Sequence, residues 1–137
     1  MLFPLCQGVD ILFVKQEDAA NVFGVKGSPE EILGALHSRF RCTAVVLTIG
    51  RDGALCLHKD QVFHSRTFLT SEADRVGAGD AFAAGFLFGL LSQDAAYGLD
   101  FGAALSALKF TIPGDLAWVT RQEVEDILRA NRPDIQR

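Results

Sequence analysis

The sequence predicts an α/β fold built on a largely parallel sheet, and three observations point to it. "VDILFV" (Val9–Val14) and "TAVVLTIG" (Thr43–Gly50) are short apolar runs rich in β-branched residues, the pattern of strands covered on both faces. Helix signals fill the interval between them, as a crossover between parallel strands requires. From Ala81 onward only helical patterns follow.

Each element has its own local signal. After the first strand, "QEDAANVFG" reads as a short helix closed by Gly24. "SPEEILGALHSRF" opens with Ser28 as N-cap, Pro29 at the first helical position and Glu31 completing a capping box. Ile32, Leu33, Ala35 and Leu36 form its expected apolar face. Beyond the second strand, the "RDG" turn (Arg51–Gly53) leads into "ALCL" (Ala54–Leu57), and a further short strand, "QVFHS", follows the "KDQ" turn. Three helices are predicted next: Ala81–Leu91, Ala95–Lys109 after Asp94, and Arg121–Ala130 with Thr120 and Glu123 as a second capping box. In the last, Val124, Ile127 and Leu128 share a face at i, i+3, i+4 spacing.

The totals narrow the function classes. The 137 residues fit one domain, since domains run to about 100–200 residues, and 49% apolar content suffices for a core. A formal charge of −4 with no cluster of Lys or Arg offers nothing to nucleic acid or an anionic membrane, so small molecules are the expected partners. Cys6, Cys42 and Cys56 lie in apolar stretches without CxxC spacing and read as reduced core residues of a cytoplasmic protein. The apolar start lacks a basic region and is interrupted by Asp10, which argues against a signal peptide. The longest uncharged apolar run, Ala81 to Leu91, is far shorter than the ~20 residues of a spanning helix.

The chemistry concentrates in "DRVGAGDAFAAGFLFGLL" (Asp74–Leu91). "GAGD" (Gly77–Asp80) falls where a loop becomes a helix, and the first N–H groups of any helix lack internal partners. With the positive end of the macrodipole behind them, they form a natural cradle for phosphate oxygens. A carboxylate beside such a phosphate, Asp80, is well placed to accept a proton from a hydroxyl. The plain alternative is an acid that merely stabilises the first helical turn. Two familiar phosphate loops are excluded: Phe82 stands where GxGxxG needs its last glycine, and no GK[ST] occurs.

"DRVGAGDAFAAGFL" resembles the C-terminal signature of the ribokinase-like carbohydrate kinases: Asp, two variable residues, Gly-Ala-Gly-Asp, a Phe two places on, and a small-residue helix. The resemblance implies that Asp80 is the catalytic base toward a sugar hydroxyl, with Gly77, Ala78, Gly79 and Asp80 forming the anion hole. "LTIGRDGAL" (Leu47–Leu55) resembles the family's ATP-binding strand-loop-strand, which implies nucleotide contacts from Thr48, Ile49, Gly50, Arg51, Asp52 and Gly53. Without the resemblance, the same glycines serve a hairpin turn equally well. Where the family carries Asn-x-x-Glu near magnesium and phosphate, this chain has Lys15 and Asp18. The implied roles are a phosphate contact for Lys15 and water-mediated magnesium binding for Asp18; a solvated helix start is the alternative. Ala103 falls in the region walling the adenine pocket, where many members have Asn. The "ALKFTIPGD" run and "VDILFV" are most similar to the 2-keto-3-deoxygluconate kinase branch.

The implied fold is therefore the C-terminal portion of a ribokinase-like three-layer sandwich, with residues 1–137 a single partial carbohydrate-kinase domain. The family's N-terminal strands and lid, which carry most sugar contacts, have no counterpart in these residues. The implied activity is ATP- and Mg2+-dependent phosphorylation of a sugar or sugar acid, 2-keto-3-deoxygluconate by preference, with the isolated chain expected to be inactive. The alternatives are a fructokinase or ribokinase of the same family, or a non-catalytic nucleotide-binding fragment. A sheet edge left open by missing strands invites self-association, so a homo-oligomer is also an expectation.

Overall fold

The computed structural model describes residues 3–71, 73–130 and 134–135. The chain divides into two compact units, Met1–His64 and Ser65–Arg137.

In the first unit a 3-10 turn (Phe3–Cys6) precedes β1 (Ile11–Lys15), α1 (Gln16–Asn21), α2 (Pro29–Phe40), β2 (Ala44–Thr48), a second 3-10 turn (Gly50–Asp52), β3 (Ala54–His58) and β4 (Gln61–His64). The sheet order is β1-β2-β3-β4. β1 and β2 run parallel from Ile11↔Ala44 to Lys15↔Thr48, whereas β2–β3 and β3–β4 are antiparallel. The sheet is thus mixed, a correction to the expectation of a largely parallel one. Only β1 and β2 are separated by helices long enough to carry the chain back to the same edge; the tight links at 49–53 and 59–60 can only reverse it. Lys59 and Asp60 both take positive φ (50° and 60°), the conformation that matches a two-residue hairpin to the strand twist.

α2 begins as its sequence dictates. The Glu31 N–H donates to the Ser28 hydroxyl oxygen at 3.2 Å, and the Ser28 N–H donates to the Glu31 carboxylate at 2.7 Å. Its buried face is Ile32, Leu33, Leu36 and Phe40. Ala35, expected on that face, is exposed instead: Phe40, two turns beyond Leu33, supplies the contact a methyl could not. These residues pack on Leu12, Val14, Val45, Leu47 and Leu55 of the sheet. Cys42 belongs to this core and Cys6 borders it. Burial pushes the Cys56 thiol up to about 12 and raises that of Cys42, so both are inert thiols rather than reactive ones.

The second unit contains β5 (Leu69–Thr70), α3 (Ala78–Ser92), α4 (Ala95–Phe110), α5 (Arg121–Ala130) and β6 (Asp134–Ile135). β5 and β6 pair in parallel through Leu69↔Asp134 and Thr70↔Ile135. The expectation of helices alone beyond Ala81 missed this ladder, because two residues carry no periodicity. α4 is capped by Asp94, whose carboxylate accepts the Tyr97 N–H at 2.8 Å. α5 opens with the expected box: the Thr120 N–H donates to Glu123 at 2.7 Å and the Glu123 N–H to the Thr120 hydroxyl at 3.3 Å. Val124, Ile127 and Leu128 pack against Phe101, Ala104, Ala107 and Leu108.

α3 and α4 approach closely through facing glycines. A Cβ on Gly85 would stand 2.8 Å from the Gly102 Cα, and one on Gly89 2.5 Å from the Gly98 Cα. No helix among the described residues is long and apolar enough to cross a membrane.

Candidate functional site

α3 starts at Ala78, three residues before the sequence expectation, so Ala78, Gly79 and Asp80 form its first turn. The start is set by Gly77, which takes φ +78° as N-cap, a conformation that disfavours any residue with a Cβ. A Cβ there would also run into the Asp115 carbonyl oxygen. The Gly77 carbonyl then accepts the Ala81 N–H at 2.9 Å, and the Ala78 N–H donates to the Arg75 carbonyl at 3.3 Å. Among the described residues, the Gly79 and Asp80 amides meet no backbone acceptor. Among the described residues, a Cβ on Gly79 would meet nothing within 4 Å beyond its chain neighbours and its own helix backbone. Amide donors at the positive end of a helix are the kind of group that holds an anion. Asp80 is exposed beside them.

Asp74, at the head of the same motif, was not singled out as a site residue, yet it organises the turn. Its carboxylate accepts the Val76 N–H at 3.0 Å and, from 40 residues further along, the Gly114 N–H at 2.9 Å. The Phe110 carbonyl accepts the N–H groups of Ala73 (2.7 Å) and Asp74 (3.1 Å). Its fixed place three residues ahead of "GAGD" was the available signal. The Val76 N–H foremost, then that of Gly114, holds the Asp74 carboxyl below the usual carboxylate range. A group with a depressed native pKa contributes stability above its unfolded value and loses it as pH falls through the native one. Acidification should therefore loosen this turn, and a carbon-detected titration should find Asp74 protonating at lower pH than a free aspartate. A normal Asp74 titration would mean that these bonds do not persist in solution.

In the first unit, Lys15 and Thr48 are register partners at the carboxyl ends of the two parallel strands. That end of a parallel pair is where α/β sheets bind ligands. Both lead directly into the other predicted positions. Asp18 lies exposed in the first turn of α1. After Thr48, Ile49 enters the 3-10 turn of Gly50, Arg51 and Asp52, and Gly50 (φ +56°) and Gly53 (φ +93°) adopt conformations suited to glycine. The Ile49 N–H donates to the Gly53 carbonyl at 2.8 Å, closing the loop. Among the described residues no group of three or more His, Cys, Asp or Glu side chains is placed to hold a metal ion, so Asp18 belongs to no such cluster. Ala103 sits half-buried on α4 next to Gly102, whose backbone packs on the Phe82 carbonyl.

Residues 4–120 match the pattern of the pfkB family carbohydrate kinases. The chain belongs to that family. A 2-dehydro-3-deoxygalactonokinase of Haloferax volcanii is 39% identical over 137 residues, which are 99% of this chain and 42% of the relative. An ATP-dependent 6-phosphofructokinase of Thermoanaerobacterium thermosaccharolyticum is 35% identical, covering 77% of this chain and 33% of its own length. Among solved structures, a 2-dehydro-3-deoxygluconokinase from Thermotoga maritima superposes with a TM-score of 0.86 at 26% identity, over 93% of this chain and 44% of that one. An E. coli ribokinase II in complex with ATP and Mg2+ superposes with a TM-score of 0.83 at 22% identity. The fold is therefore ribokinase-like and the chain corresponds to part of that domain: it spans 42% of the Haloferax relative. "GAGD" lies within the matched residues.

Proposed function

We propose that this chain is the catalytic-base and nucleotide-binding portion of a sugar-acid kinase acting on a 2-keto-3-deoxy sugar acid such as 2-keto-3-deoxygluconate. The single observation that carries the reading is the α3 N-terminus, where two amides with no backbone acceptor among the described residues and an exposed carboxylate stand together on a turn that favours glycine. The similarity to a 2-dehydro-3-deoxygalactonokinase supports the acid-sugar class.

In this reading the substrate hydroxyl oxygen attacks the γ-phosphorus of ATP. The bond to the β–γ bridging oxygen breaks, ADP leaves, and the hydroxyl proton passes to an Oδ of Asp80. The Gly79 and Asp80 amides donate to the phosphoryl oxygens, with Gly77 and Ala78 shaping the turn. In the first unit Thr48, Ile49, Gly50, Arg51, Asp52 and Gly53 are the nucleotide contacts and Lys15 the positive charge toward phosphate; in the second, Ala103 is the assigned nucleotide-binding position. Bound magnesium would neutralise phosphate charge, with Asp18 reaching it through water. Such an enzyme works in the cytoplasm, where ATP is available and thiols stay reduced.

Phosphoryl transfer depends on positioning both substrates, so the isolated 137 residues should bind nucleotide weakly and turn over no sugar. Joined to the N-terminal portion of the Haloferax relative, they should phosphorylate 2-keto-3-deoxy acids with a higher kcat/KM than fructose or ribose in a coupled ADP assay. Preference for fructose or ribose would overturn the substrate class. Robust turnover by the isolated chain would overturn the half-site argument.

A further inference from the structure

Lys109, in the last turn of α4, is a charged side chain with 0% of its surface exposed. Burying an ammonium is costly, and a leucine or methionine would fill the same space without that cost. The Lys109 ammonium donates to the Ile112 carbonyl at 2.8 Å, while the Ile112 N–H donates back to the Lys109 carbonyl at 2.9 Å. The Thr111 hydroxyl adds a bond to the Leu108 carbonyl at 2.7 Å. This knot fixes the start of the segment that meets the α3 turn three times. Phe110 accepts from Ala73 and Asp74, Gly114 donates to Asp74, and the Asp115 carbonyl abuts Gly77.

We propose that Lys109 is a positioning residue for the anion cradle. Its buried ammonium fixes residues 110–115, which hold Asp74 and Gly77 and so aim the Gly79 and Asp80 amides. The placement is electrostatically consistent: a cation at a helix C-terminus faces the negative end of the macrodipole, and the Lys109 charge helps keep Asp74 ionised. The inference rests on the cradle reading of Gly77–Asp80, but its test does not use kinase activity.

The test is NMR on the 137-residue chain with Lys109→Met, which keeps the stem and removes the charge. The hydrogen-bonded amides of Asp74, Val76 and Gly114 should exchange about tenfold faster, with those of α5 unchanged. The Gly79 and Asp80 amide shifts should move, a signature that loss of core volume elsewhere would not give. Asp74→Asn should reproduce the pattern, and the double variant should exchange no faster than the faster single one, because both act through one brace. Unchanged exchange at the three amides would overturn the proposal. Equal acceleration in α5 would overturn it too, since Lys109 would then be an ordinary core residue. If the assembled enzyme phosphorylates no sugar, the kinase reading fails and these amides still decide the brace.

Discussion

Asp80→Asn should lower kcat by about 10²–10⁴-fold in the enzyme assembled from this chain and its relatives' N-terminal portion, with KM for ATP little changed. The asymmetry follows from the α3 turn. Asparagine keeps the amide that faces the phosphoryl group and can still sit in the first turn of a helix, so the cradle survives. What it loses is the capacity to take the hydroxyl proton as the new P–O bond forms. An interaction made only as the reaction proceeds lowers kcat and kcat/KM together, whereas a lost ground-state contact raises KM. Steady-state kinetics in both substrates separates the two. Near-normal kcat in the variant would reduce Asp80 to an acid that stabilises a helix start.

The turn that carries Asp80 was legible in the sequence because it depends on local chemistry. Gly77 and Asp80 are three residues apart, and glycine punctuation before a small-residue helix fixes both the turn and the direction of its amides. Ser28 with Glu31, and Thr120 with Glu123, were legible for the same reason: a capping box is complete within four residues. Features that depend on partners distant in sequence were not. Asp74 is secured by Gly114, and the value of that aspartate lies in a loop 40 residues away. The β5–β6 ladder joins residues too few to show alternation. The mixed sheet was misread because apolar runs report burial on both faces and say nothing about strand direction; the short links at 49–53 and 59–60 held that information.

A second expected result tests the support beneath the cradle. Gly98→Ala should destabilise the protein by about 2 kcal/mol in urea unfolding, although alanine is the better helix former by about 1 kcal/mol. The added Cβ would stand 2.7 Å from the Phe86 carbonyl oxygen and 3.0 Å from the Leu90 nitrogen. Both are backbone atoms of α3, so relief requires moving the helix rather than rotating a side chain. Gly34→Ala in α2 is the control. Its Cβ would meet nothing within 4 Å, so the substitution should stabilise by roughly 0.5–1 kcal/mol through propensity alone. Opposite signs from one chemical change would establish that close approach, not glycine's flexibility, is what α4 uses at Gly98. The link to function is geometric. α3 carries the cradle at its first turn and rests on α4 through Gly85 and Gly89. A helix pushed off α4 displaces the Gly79 and Asp80 amides, and a shift of about 1 Å in a reacting geometry can cost 10²-fold in rate. Gly98→Ala should therefore lower kcat in the assembled enzyme as well as stability, while Gly34→Ala leaves kcat unchanged. Equal stabilisation by both substitutions would mean that α3 and α4 do not pack this closely in solution.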